Sequence, residues 1–420
     1  MPQQRPKVVI IGAGFGGLEA AKALSRVAVD VILIDRQNHH CFQPLLYQVA
    51  TAALSPAEIA WPIRYILRQQ RDATVFMAEV EAVDLAARVV QTSAGPFSYD
   101  YLVLATGATH SYFGHDEWAE FAPGLKRIED ATRIRRTSLL AFERAELADD
   151  DAERPRLLTF VIVGGGATGV EMAGAIAEIA RQTLAKDFRR IDPRSSRIIL
   201  LEAGARILPT LPGDLSRYAE RALTRIGVDV RTNTRVTGCD RHGVELDHGR
   251  IDAGAVIWAA GVVASPAASW LGAEHDHVGR VLVRPDLSVP GHPEVFVIGD
   301  AAAVRGEKGE PVPGVAPAAK QMGRHVGRLI AARIEGKSLP AFRYRNLGEL
   351  ATIGRHSAVV KFGRLQLKGW IGWLFWSVAH IYFLIGVKNR FIVAFTWLWD
   401  YVTFQRGARL ITEVPPPGKG

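Results

Sequence analysis

The chain has 420 residues, 48% of them hydrophobic and 22% charged, which suits two or three folded domains and no extended disorder beyond a short tail, residues 414–420. Its two cysteines, Cys41 and Cys239, lie far apart with no Cys-x-x-Cys, so a disulfide framework, a thiolate zinc site and a redox-active cysteine pair are all disfavoured, and no metal is expected. The net charge of +8 is confined to one end: from residue 340 onward eleven Lys/Arg face three Asp/Glu, while the rest balances at forty of each sign.

A basic excess in a tryptophan-rich tail points to an anionic lipid surface as partner, and not to nucleic acid. The first seven residues carry neither the apolar core nor the cleavage site of an export signal, and cysteine scarcity fits a reducing, cytoplasmic face.

In chain order, Lys7 to Ile11 is an apolar run suited to a buried parallel strand. Gly12-Ala13-Gly14-Phe15-Gly16-Gly17 follows, then a helix from Leu18 to Arg26 and a second strand ending on Asp35. Gly12 permits a tight turn, Gly14 lets the backbone approach a pyrophosphate, and Gly17 lets helix and strand pack closely. A diphosphate at that helix N-terminus meets free N–H groups and a favourable dipole, and Asp35 is spaced to bind a ribose.

The pattern recurs. Thr159 to Val163 is a strand, Gly164-Gly165-Gly166-Ala167-Thr168-Gly169 opens a helix through Glu178, and Ile198 to Leu201 ends on Glu202. Two such segments predict two dinucleotides, a flavin (FAD) and a nicotinamide. Glu202 repels a 2′-phosphate and so favours NADH over NADPH, with nearby Arg206 working against that preference. The runs closing on Ala105-Thr106-Gly107 and on Gly261 suit crossings between the two segments. Val295 to Asp300 is a strand whose Gly299-Asp300 end suits a flavin's ribityl chain.

With these motifs in this order, the chain resembles the two-dinucleotide-binding-domain flavoproteins, and among them the type II NADH dehydrogenases. The most specific block is Asn38-His39-His40-Cys41-Phe42-Gln43-Pro44-Leu45-Leu46-Tyr47-Gln48-Val49-Ala50-Thr51, continuing through Leu54-Ser55-Pro56 and Pro62-Ile63-Arg64. The resemblance implies that this block wraps the flavin and borders the approach of a membrane quinone. Phe15, Gly16, Arg36, Val80 and Ala319 complete the expected cofactor-binding set.

In that family a helix carries two glutamines facing the flavin. Here the segment reads Ala316-Pro317-Ala318-Ala319-Lys320-Gln321, so Gln321 matches the second and Pro317 replaces the first. The expected quinone site is Gln48, Pro317 and Gln321, altered at Pro317. By the same resemblance, Glu171 assists proton movement near the nicotinamide, against the alternative of an acid that complements its helix N-terminus. Lys388, in a Lys388-Asn389-Arg390 turn, is expected to reach the flavin.

Residues 369–387 form nineteen positions without formal charge, long enough to span a bilayer but diluted by Ser377, His380, Tyr382 and three glycines. From Arg390 to Arg406, Thr396, Asp400 and Thr403 share one helical stripe, with Phe391, Ile392, Phe395, Leu398, Trp399 and Val402 around it. Five of nine tryptophans lie here. The expectation is a helical pair lying in the membrane interface, with a transmembrane helix over 369–387 and a tail packed in a homodimer as alternatives.

The expected architecture is α/β. It has an FAD-binding domain (1–115 and 290–340), an NADH-binding domain (116–289) and a C-terminal helical membrane-associating region (341–420). The expected reaction is FAD-dependent NADH oxidation with two-electron reduction of a quinone, without proton pumping. The rivals are a sulfide-oxidising quinone reductase, for which only Cys41 is available, a reductase of a protein acceptor, and an FAD/NADH redox sensor.

Overall fold

The computed structural model describes residues 5–150, 152–307, 309–384, 386–403 and 407–412. Arg406, the 414–420 tail and the side chains of Asp400 and Val402, all part of the sequence expectations, fall outside the described set.

The chain divides into two units. One comprises residues 1–41, 60–109 and 262–347; the other comprises 42–59, 110–261 and 348–420. Residues 262–289, expected with the second nucleotide segment, therefore group with the first. The C-terminal region groups with the second segment from residue 348 onward, because its strands pack on that segment's helix, while 341–347 stay with the first.

In the first unit, near-continuous apolar runs form a six-stranded sheet in the order Ser288–Val289, His292–Val297, Tyr101–Leu104, Lys7–Ile11, Asp30–Asp35, Ala73–Met77. All neighbours are parallel except the short edge strand Ser288–Val289. Buried on both faces, such strands need helical cover. The helix Phe15–Ala23 supplies it and packs in turn on Ala316–Ile334. The two helix backbones meet at glycines: a Cβ on Gly323 would fall 2.0 Å from the Gly16 carbonyl oxygen.

In the second unit the parallel order is Val228–Arg231, Arg197–Leu201, Thr159–Val163, Ala255–Trp258. The helix Ala167–Glu178 follows the third of these. Against it lies an antiparallel sheet, Glu349–Gly354, Ser357–Phe362 and Leu365–Lys368, ahead of the two tail helices. Gly174 makes this possible, since a Cβ there would sit 2.1 Å from the Ile353 carbonyl oxygen.

The tail helices span Gly369–Phe383 and Val387–Thr403, joined at Gly386, whose φ of +83° suits glycine. Lys388, Asn389 and Arg390 thus lie in the first turn of a helix and not in a turn between helices. No described helix is long and apolar enough to cross a membrane.

The polarity of both helices is reversed relative to an ordinary surface helix. The first turns Gly372, Trp376, Ser377 and His380 inward and leaves Trp370, Ile371, Leu374, Val378 and Tyr382 exposed. The second buries Asn389, whose Nδ2 donates to the Glu58 carbonyl at 2.9 Å, while Phe391, Phe395, Leu398 and Trp399 are exposed. Its Thr396 hydroxyl donates to Glu58 Oε1 at 3.2 Å.

Replacing Gly174 by Val drives side-chain atoms into the Ile353 carbonyl and must push helix and sheet apart. The variant is expected to lose about 1–3 kcal/mol or more of stability in chemical denaturation, whereas an alanine at exposed Gly407, where a Cβ would meet nothing within 4 Å and φ is not positive, changes little.

Candidate active site

The expected flavin residues of the first glycine loop, Asp35, Arg36, Val80, Ala105 to Gly107, Gly299, Asp300 and Ala319 lie in the first unit, whereas Lys388 and residues 42–51 of the block expected to wrap the flavin lie in the second. The Gly12 N–H donates to the Ile34 carbonyl at 2.7 Å, and Ala105 N–H donates to Ile11 at 2.7 Å, so both loops leave the sheet side by side. Gly17 has no room for a side chain, since a Cβ would lie 1.8 Å from the Gly12 carbonyl oxygen, whereas a Cβ on Gly14 would meet nothing within 4 Å. The first turn of the Phe15–Ala23 helix has no side-chain cap, which leaves its N–H groups to a ligand.

Asp35 receives Ala13 N–H at 2.6 Å and Gln37 N–H at 2.8 Å, one on each oxygen. Burial pushes its carboxyl up, opposed by those two bonds. His40 lies beneath, its Nδ1 2.9 Å from the Ala13 carbonyl, and burial lowers its pKa to about 4. It is therefore neutral, with Nδ1 as donor and a buried Nε2 lone pair that has no partner among the described residues. The sequence placed His40 in a family block without giving it a role.

Thr106 is fixed by a 2.5 Å bond between its hydroxyl and that of Ser265. Gly299 has φ +69° beside Ala319, and Asp300 is half-buried. Gly16 packs on Ile298, Val80 is half-buried at the head of the strand Val80–Asp84, and Arg36 is exposed next to Asp35.

The second unit repeats this mount. Gly164 N–H donates to Leu201 at 2.7 Å, Ala259 N–H donates to Val163 at 2.7 Å, and a Cβ on Gly169 would lie 1.8 Å from the Gly164 carbonyl oxygen. Glu202 accepts from Gly165 N–H and Gly204 N–H, each at 2.6 Å. Gly166 holds the N-terminal position of the helix with no side-chain hydrogen bond to cap it and is open on its outer side, with exposed Ala167 and half-buried Thr168 next. Arg206 donates to the Pro209 carbonyl at 2.7 Å, which gives its guanidinium a local partner. Phe113 was not anticipated: it is exposed, holds φ +55°, and its ring covers Gly261. A bulky residue in that backbone region is strained and commonly marks a functional position.

Two residues past Gly169, on the same helix, Glu171 enters a cavity of about 100 Å³ in this unit. Tyr47, Gln48, Glu178, Arg355, Trp376 and Trp397 line it with Glu171. Protein surrounds the carboxyl except where it faces the cavity, and burial raises its pKa to about 8. The opposing contacts are weak: Thr352 N–H reaches Oε1 at 3.4 Å, and the Trp376 indole adds a smaller pull. Trp376 stacks on Trp397, with centroids 5.3 Å apart, and on His380 at 4.1 Å. Trp397 Nε1 donates to Gln48 Oε1 at 2.7 Å, and Gln48 Nε2 donates to the Tyr47 hydroxyl at 2.9 Å.

Residues 6–323 match the family described as pyridine nucleotide-disulphide oxidoreductase, and residues 346–405 match the NDH2 C-terminal domain. The chain is 47% identical to the type II NADH:quinone oxidoreductase NdhA of Mycobacterium tuberculosis, over 97% of this chain and 90% of that protein. It is 45% identical to Ndh of the same organism, over 98% and 91%. The chain belongs to the type II NADH:quinone oxidoreductases.

The structure of NDH2 from Plasmodium falciparum in complex with NADH shares the fold of this type II chain, with TM-score 0.89, 21% identity and coverage of 98% and 100%. Sulfide:quinone oxidoreductase from Aquifex aeolicus is a more distant likeness, at TM-score 0.73, 19% identity and 92% of each chain. The first mount fits the FAD of such an oxidoreductase. Gly14 is open outward, the helix end is uncapped, and His40 presents a buried unpaired nitrogen.

The three expected quinone residues do not share one unit. Gln48 lines the cavity of the second. Pro317 sits in the first turn of Ala316–Ile334 in the first, where its missing N–H costs no helical bond. Gln321 spends its amide on one backbone residue, donating to the Arg345 carbonyl and accepting from Arg345 N–H, both at 2.9 Å. Lys388 is exposed in the second unit. The sequence singled out Glu171 and Gln48 but missed Trp376, Trp397 and Thr352, which come from distant segments and carry no motif.

Because the folded-state pKa of Glu171 lies above its unfolded value, the native protein holds a proton that the unfolded chain releases. The stability this contributes is present below about pH 4.5 and is lost as the pH rises through about 8. Glu171→Gln removes that slope. Its melting temperature is expected to exceed wild type at pH 9 and to converge with it near pH 4.

Proposed function

We propose that this protein oxidises NADH through a bound FAD and passes two electrons to a membrane quinone, without pumping protons. The observation that carries this reading is the pair of equivalent dinucleotide mounts, together with a proton-holding carboxyl in a cavity walled by the tail helices. FAD supplies, when bound, the two-electron chemistry that links a hydride donor to a quinone.

The chain's own residues do the rest. The uncapped ends of the Phe15–Ala23 and Ala167–Glu178 helices bind the two diphosphates. Asp35 and Glu202, already oriented by paired backbone N–H groups, keep lone pairs for a ribose. At the second mount the Glu202 carboxylate repels a 2′-phosphate. Glu171 carries a proton at neutral pH and can give it to a reduced quinone oxygen, while Tyr47, Trp376 and Trp397 keep bulk water away.

The exposed aromatics of the tail helices suit an anionic lipid interface on the cytoplasmic side. Lys368, Lys388 and Arg390 lie at their ends to pair with phosphates. A quinone confined to the bilayer then enters between the same helices that wall the cavity.

Purified FAD-loaded protein is expected to oxidise NADH rapidly only when a short-chain quinone is present, and to use NADPH at least about tenfold less well. Flavin reduced by NADH but not reoxidised by any quinone would refute the quinone assignment. Glu202→Ala, which strands two backbone donors, should raise the KM for NADH at least about tenfold. Replacing Phe391, Phe395 and Trp399 together by Ser is expected to abolish co-sedimentation with anionic vesicles while flavin reduction by NADH persists. Unchanged sedimentation with an altered oligomeric state would instead assign this face to a second copy of the chain.

A further inference from the structure

Two donors flank the Glu171 carboxyl and neither is well satisfied. Thr352 N–H stands 3.4 Å from Oε1, long for a hydrogen bond. The Trp376 indole N–H is buried and makes no bond of proper geometry among the described residues, although it lies near enough to Glu171 to hold its pKa down slightly. Trp376 is itself only 2% exposed, fixed by stacking on Trp397 and His380 and by the edge of Tyr47 at 6.5 Å. A rigid ring with an orphaned buried donor is costly unless some state of the protein uses it.

A neutral carboxyl asks little of such donors, while a carboxylate in the same place needs both. Donors that are loose in the resting state and tighten on developing charge are how preorganised sites act. We infer that Trp376 is a positioning residue for Glu171: its indole N–H, with the Thr352 N–H, receives the carboxylate formed when Glu171 gives up its proton. This rests on the proton role proposed for Glu171 above. In the balance of the reaction, quinone takes two electrons and two protons: NADH gives up a hydride, which is both electrons and one proton, and the second proton comes from Glu171. Glu171 gives one proton to a quinone oxygen and regains one from water, and the indole keeps its hydrogen throughout.

The other titratable or charged groups around this pair are Glu178 and Arg355 on the cavity wall, Tyr47 beside Trp376, and His380 stacked on it. Arg355 N–H donates to Glu178 Oε1, which ties that carboxylate to the adjacent backbone. Burial holds His380 down to about 4, so it stays neutral where Glu171 titrates.

The test uses holoenzyme. Trp376→Phe keeps an aromatic ring and removes the donor. The protonated-carboxyl band of Glu171, assigned in infrared spectra by its loss in Glu171→Gln, is expected to titrate about 1–2 pH units higher in Trp376→Phe. The alkaline limb of quinone-dependent NADH oxidation should move with it, whereas simple structural damage would lower the rate at every pH without moving the limb. A band and limb that stay at the wild-type pH would overturn the inference.

Wild-type protein offers a second readout should the variant fold poorly. The indole N–H signal in ultraviolet resonance Raman spectra should shift to its hydrogen-bonded position as the pH rises through the Glu171 titration, and should not shift in Glu171→Gln. No difference between those two proteins would also overturn it. Both spectroscopic readings are made on resting enzyme, so they stand or fall separately from whether a quinone is the acceptor.

Discussion

Much of the second unit depends on how closely the helix Ala167–Glu178 can approach its neighbours. Gly169 lets it touch the loop that a dinucleotide must occupy, and Gly174 lets it lie on the Ile353 carbonyl. Between those two contacts the helix has one position that points into the cavity, and Glu171 occupies it. At its end Glu178 accepts from Arg355 N–H and ties the helix to the same sheet. Nucleotide mount, proton-holding carboxyl and C-terminal sheet are thereby set on one rigid rod, and a methyl group at either glycine would disturb all three.

The environment of Glu171 follows from that placement. A carboxylate in the first turn of a helix gains about 0.3–1 kcal/mol from the dipole, and Glu171, the fifth residue of its helix, stands just past the reach of that effect. Burial among Trp376, Thr352 and Tyr47 therefore prevails and keeps the group protonated. The tail contributes to the same wall by facing the wrong way for a protein in water, with Ser377, His380 and Asn389 inward and Phe391, Phe395 and Trp399 outward. The cavity wall and the exposed apolar surface are opposite faces of the same pair of helices.

Both glycine loops and both acids were legible in the sequence, because positive φ at Gly12 and Gly164 and contact at Gly17 and Gly169 admit no other residue type. The tail was legible as amphipathic. Its orientation was not, since the periodicity of Phe391, Phe395 and Trp399 is the same whether that face meets a core or a membrane. The antiparallel sheet of residues 349–368 went unnoticed beside the louder apolar stretch that follows. The cavity was out of reach for another reason: Tyr47, Glu171, Thr352, Trp376 and Trp397 meet only through tertiary packing, and an indole left without an acceptor has no signature in a string of letters. Pro317 and Gln321 show the converse, where a family position is occupied but the side chain serves a helix start or a backbone clasp.

The near-identity of the two mounts bears on molecular discrimination. Strand, turn, helix end and acid are superposable in kind, down to paired 2.6–2.8 Å bonds on Asp35 and 2.6 Å bonds on Glu202. A clamp of that sort recognises what FAD and NADH have in common and is blind to what separates them. The two mounts differ in pieces outside the motif, such as the neutral His40 under Ala13 in one and the strained Phe113 over Gly261 in the other. Two grips alike in kind thus leave any discrimination between two dinucleotides to neighbours that differ.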